Sequence, residues 1–222
     1  MVATFVIEVT LAVYVLWRYK LNPVTRLVAL LLICLGTFQA AEFMVCRGMP
    51  GHALAWARVG YVAITLLPPL GLHLATVLAG VRQRVLIMSA YGAAAAFIVF
   101  FGFIGGALNG DACLGNYVIF NVAPGSGFLF GLYYYVWLAI GGVASWRMAR
   151  DHPAARPALY SLVAGYLAFI IPTATVNFLS HDTLQGIPSI MCGFAVLLAL
   201  VLAFRVLPAY TRTHSKGKKK RA

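Results

Sequence analysis

The chain has 222 residues, of which 62% are hydrophobic and only 10% charged, and its mean hydropathy is +0.89. Soluble domains carry about 25% charged and about 45–50% apolar residues, so soluble enzymes, disordered proteins and ordinary nucleic-acid binders are excluded. The net charge of +12 does not bring nucleic acid back as a partner. The basic residues fall between hydrophobic runs and in the cluster Lys216, Lys218, Lys219, Lys220 and Arg221, a pattern that serves topology and anionic lipid head groups.

In chain order, seven apolar stretches predict an all-α, polytopic bundle of seven transmembrane helices. They are Val2–Trp17, Thr25–Cys46, Ala55–Gly80, Val85–Leu108, Gly127–Met148, Pro157–Leu179 and Ile187–Leu207. The bundle is expected to fill residues 1–208, with a mobile basic tail over 209–222. The first stretch does not read as a cleavable signal, because no basic residue precedes it, Glu8 interrupts it, and Arg18 and Lys20 follow it.

Orientation follows from the basic residues. Fifteen of the seventeen Lys and Arg, from Arg18 through the loops to the tail, fall on one side, against Arg47 and Arg58 on the other. The rich side is expected to be cytoplasmic. The amino terminus is then outside and the carboxyl terminus inside, in a multi-pass protein of the plasma (inner) membrane. Glu8, Glu42, Asp111 and Asp182 sort to the outer side and Asp151 to the inner. The longest outer connection, Asn109–Ser126, has a strand-like segment at Tyr117–Phe120 followed by turn formers. It reads as a hairpin lid or an irregular interfacial loop.

Ionisable side chains in hydrocarbon are expensive and need a partner or a purpose. Glu42 and Arg58 lie about one turn inside the outer ends of adjacent helices, which suggests an ion pair. Glu8, Tyr61, Asn177 and His181 are expected in the same layer. The group forms either an outward-facing polar pocket or a structural clasp for the first three helices. Cys46 and Cys113 both face the oxidising side and are candidates for a disulfide. Pro68, Pro69 and Pro172 are candidate kinks or hinges.

Several chemistries lose their support. His73 has no second intramembrane histidine at matching depth for a haem, so it is expected to hydrogen-bond a neighbouring helix. No lysine sits inside the bundle to carry retinal. No spacing suggests a metal, and no arrangement singles out a nucleophile. The expectation is a protein without cofactor or enzymatic activity.

The run Asn22-Pro23-Val24-Thr25-Arg26, then Ala41-Glu42, Trp56-Ala57-Arg58, Leu67-Pro68-Pro69-Leu70 and Leu72-His73, forms a recognisable order. With Pro188-Ser189-Ile190-Met191 and Leu207-Pro208, it resembles the seven-helix sensory module at the amino terminus of some prokaryotic histidine kinases. In those proteins dimerisation and kinase domains follow, whereas here a lysine-rich tail follows, so the resemblance implies a stand-alone module without kinase activity. It implies a receptor-like sensor signalling through a separate membrane or cytoplasmic partner. An accessory subunit of a larger membrane assembly is the alternative, and a small-solute transporter or membrane-embedded enzyme a more distant one.

Overall fold

The computed structural model describes the backbone of residues 2–48, 52–113, 118–179 and 187–219. Among them, six helical stretches are long and apolar enough to cross a membrane. This is a multi-pass helical membrane protein. The first helix, α1 (Val2–Arg18), has 17 residues, slightly under the roughly 20 that a straight span needs.

Helix α2 (Pro23–Arg47) returns against α1. Its start is written locally. Asn22 caps it by accepting a hydrogen bond from the Thr25 amide at 2.9 Å, and Pro23 occupies the first turn, where no amide donor is needed. Across the seam, Gly36 lets α1 approach closely: a methyl group there would meet Val9 at 3.3 Å and the Glu8 Cβ at 3.8 Å.

The expected span over Ala55–Gly80 stands as one apolar stretch, Ala53–Ala79, built from two helices, α3 (Ala53–Thr65) and α4 (Leu67–Ala79), that meet at Leu66. Pro68 and Pro69 are the cause, since neither can donate to the carbonyl four residues back. Pro69 leaves the Thr65 carbonyl free, and the Tyr133 hydroxyl donates to that oxygen at 2.7 Å. The carbonyl that Pro69 frees is therefore bonded. Helix α4 ends at Gly80, whose φ of 71° lies in the left-handed region that favours glycine.

Helix α5 (Arg84–Phe103) stops short of the expected Leu108, because Gly105 and Gly106 follow it and Gly106 turns with a φ of 82°. The chain then forms an antiparallel hairpin, β1 (Leu108–Cys113) and β2 (Val118–Val122), in the register Cys113↔Val118 to Leu108↔Val122. This is the region expected as a lid; Tyr117 lies outside the described residues. Helix α6 (Ser126–Asp151) and helix α7 (Arg156–Leu179) come next. Arg156 donates to the carbonyls of Ala149 and Arg150 at 3.0 and 3.4 Å, closing the end of α6. Pro172 lies within α7 without ending it.

The last helix, α8 (Ile187–Val201), passes through a π-helical turn at Leu202–Val206 into α9 (Leu207–Lys219). The segment expected to be a mobile tail continues as helix to Lys219. A helix already nucleated upstream propagates at little further cost.

Candidate functional site

The strongest polar feature is a file of side chains along the seam of α1, α2 and α8. Glu42 stands five residues before the end of α2 and is 1% exposed. One turn deeper on the same helix, Gln39 is 2% exposed, and its Oε1 accepts a hydrogen bond from the Thr4 hydroxyl of α1 at 2.8 Å. One turn deeper again, Glu8 of α1 lies against Gly36 with no exposed surface. Gly36 is eleven residues before Arg47, which at the rise of an α-helix puts Glu8 about 16 Å below that end. The sequence reading set Glu8 in the same outer layer as Glu42; the structure sets it near the middle of α2. Glu8 and Glu42 interact electrostatically, and the Cys192 thiol of α8 lies within reach of both charges.

The other expected members are elsewhere. The Glu42–Arg58 ion pair is not formed: Arg58 makes no ion pair among the described residues. The reason is helical phase. The face of α3 against α2 is Ala57 and Gly60, where a methyl on Gly60 would meet the Ala41 Cβ at 3.2 Å. Arg58 stands two residues before Gly60, about 200° around the helix, and so points away from the seam. Tyr61 is buried in an aromatic cluster, 4.5 Å from Phe101 and 5.4 Å from Phe130 between ring centroids. The side chain of Asn177 and the whole of His181 lie outside the described residues. Among the described residues, Glu8, Gln39 and Glu42 are thus buried together along the α1–α2 seam, apart from Arg58 and Tyr61.

Cys46 and Cys113 are joined in a disulfide, with their Cα atoms 5.8 Å apart. It ties the end of α2 to the hairpin. His73 Nδ1 is 3.3 Å from the Tyr91 hydroxyl of α5, so this histidine does bridge to a neighbouring helix.

At the opposite end, a groove of about 300 Å³ lies between the end of α4, the turn before α7, and α9. Asp151, His152, Tyr210 and Thr213 line it. The connections bearing Arg18, Arg82, Arg84, Arg150 and Arg156 gather at this end, where Tyr19 feels the charge of Arg212. In the core, a cavity of about 20 Å³ is lined by Tyr134, Tyr166 and Cys192 among apolar side chains. The Tyr166 hydroxyl finds no hydrogen-bond partner among the described residues, and the cavity has room for about one water.

Gln39, Thr4 and Cys192 were missed by the sequence reading. The signal was present for the first two: Gln39 lies three residues before Glu42, and Thr4 four before Glu8, so each shares a helical face with a carboxyl. Nothing local marked Cys192, which only the packing of α8 brings to the seam.

No protein-family model matches the chain, and no curated protein or solved structure is significantly similar to it. The class defined by the fold is a multi-pass helical membrane protein with a disulfide-tied hairpin at one end and basic connections at the other.

Proposed function

We propose that the protein is a receptor-like sensory module of the plasma membrane, with seven spans, its amino terminus outside and its basic end in the cytoplasm. The orientation rests on the excess of Lys and Arg at one end, and on a disulfide at the other, which suits the oxidising side. The observation that carries the sensory reading is the course of the last helix. Helix α8 passes the carboxyl seam at Cys192, and its continuation through the π turn emerges as the basic helix α9. One continuous helical course thus links the polar seam to the face where a signalling partner would dock. The π turn at Leu202–Val206 is of a kind found often at functional sites within helices.

A subunit of a larger assembly is the second reading, favoured by the loose packing of α5. Only 17% of its most apolar window is buried, against 72% for the span made by α3 and α4. The test is gentle purification of the full chain from native membranes, followed by identification of co-purifying proteins. A cytoplasmic signalling protein retained by the intact chain and lost on truncation after Tyr210 supports the sensor. A stoichiometric integral membrane partner indifferent to that truncation overturns it in favour of the subunit.

A further inference from the structure

The polar file along the seam ends on a carboxyl with nothing to balance it. Glu8 has no exposed surface, and neither of its carboxyl oxygens accepts a hydrogen bond among the described residues. A second, independent group is also left over. Gln39 uses Oε1 for Thr4, but its Nε2 donor, in a side chain 2% exposed, has no partner there. Its amide stands between the level of Glu42 and the level of Glu8, one helical turn from each.

The charged and titratable groups around Glu8 can be named element by element. Among the described residues, on α2 there is Glu42 and on α8 the Cys192 thiol. No lysine, arginine or histidine side chain of the described residues pairs with Glu8. A carboxylate in low-dielectric surroundings, with a second carboxyl nearby and no ion-pair partner among the described residues, is disfavoured. The neutral acid is the form that fits.

We infer that Glu8 is a proton-binding site near the middle of the membrane span, reached from the disulfide end along Glu42 and Gln39. The file stops there. The core cavity is lined by tyrosines and Cys192 among apolar side chains, with no carboxyl among its described lining, so the path is a dead end that binds a proton without passing it across. The step is a simple exchange: the carboxylic O–H gives its proton to a water molecule admitted along the seam, leaving a carboxylate and a hydronium ion that departs toward the disulfide end. On the sensory reading, which this inference uses for its orientation and purpose, a rise in outside pH is the stimulus, and the charged form of Glu8 loosens α1 from α2 and α8.

The test is infrared spectroscopy of the full chain in lipid nanodiscs at neutral pH. The sequence has only five carboxylic side chains, so a carbonyl stretch from a protonated acid is readily assigned. The expected result is such a band in the parent protein, absent in Glu8→Gln, shifted in Glu42→Gln and unchanged in Asp151→Asn. A parent spectrum without the band, or a band indifferent to Glu8→Gln and Glu42→Gln, overturns the inference. A band that appears only when sodium and potassium are removed also overturns it, since the seam then holds a metal cation. Hydrogen–deuterium exchange at alkaline pH separates the inference from the sensory reading. Several-fold faster exchange in α1 and α9 of the parent than of Glu8→Gln supports both. Equal exchange alongside the assigned band leaves the proton site standing and removes the sensor.

Discussion

Two buried polar places in this bundle were assembled under opposite rules. At the α3–α4 break, prolines free a carbonyl deep in the protein, and the Tyr133 hydroxyl takes it at 2.7 Å, while the Thr65 hydroxyl bonds back to the Tyr61 carbonyl at 2.6 Å. At the α1–α2–α8 seam, Glu8 and the Gln39 amide nitrogen are buried without such partners among the described residues. An unsatisfied buried polar group costs about 1–3 kcal/mol, more when charged. The break is therefore a structural joint, and the seam is a place where binding of a small species recovers free energy.

The largest expected effect comes from the tether that holds the carboxyl-terminal end of α2, one turn beyond Glu42. The Cys46–Cys113 disulfide closes a loop with a sequence separation of 67, which in the chain-entropy account is worth about 4 kcal/mol. Cys46→Ser, like reduction, should lower the melting temperature in detergent markedly. It should also raise hydrogen exchange near the end of α2 and in the hairpin while leaving the α3–α4 break protected. Equal loss of protection at the break would mean that the two regions open as one unit.

Next comes the seam's own packing. Gly36→Val pushes a branched side chain against Val9 and Glu8, and overpacking of this kind costs about 3 kcal/mol. Thermal unfolding should show that loss, and α1 should become the first helix to exchange. A mild effect would show that α1 is not firmly seated on α2.

At the joint, Tyr133→Phe removes the donor but keeps the ring, leaving the Thr65 carbonyl unpaired. A loss of about 2 kcal/mol is expected, measured as a lower melting temperature with unchanged helix content. No change would mean that water replaces the hydroxyl and that the joint is wet.

How much of this was legible in the sequence follows the range of the forces involved. Apolar stretches and the strand character near β2 are local, and among the described residues six span-length apolar helices and the strand stand in the structure. The break at Leu66 was read as a kink, because whether prolines bend or part a helix depends on a distant donor, here Tyr133. The end of α5 was overrun because hydropathy continues through Ile104 and Leu108, while Gly105 and Gly106 stop the helix by backbone geometry. The Glu42–Arg58 pair failed on phase: matching depth was visible, but the Ala41–Gly60 contact that turns Arg58 away is tertiary. The depth of Glu8 failed on register, which the close fit of Gly36 to Val9 sets and no single helix encodes.

The smallest expected effect is the most telling about the seam. Glu8→Gln replaces a carboxyl with a neutral group of nearly the same shape, in a place where no described side chain donates to it. Were Glu8 a structural anchor like Tyr133, the substitution would leave broken bonds and cost about 2 kcal/mol. Were it an ion held in place by a buried cation, removing the charge would strand that cation and cost about 3–5 kcal/mol. A neutral acid predicts neither. The glutamine should fold as the parent does, with stability within about 0.5 kcal/mol, the range of changes that disturb no special feature. Thermal melts of Glu8→Gln and Tyr133→Phe under identical conditions then test the contrast directly. A glutamine variant as unstable as the phenylalanine variant would place Glu8 among the structural bonds and erase the distinction between seam and joint.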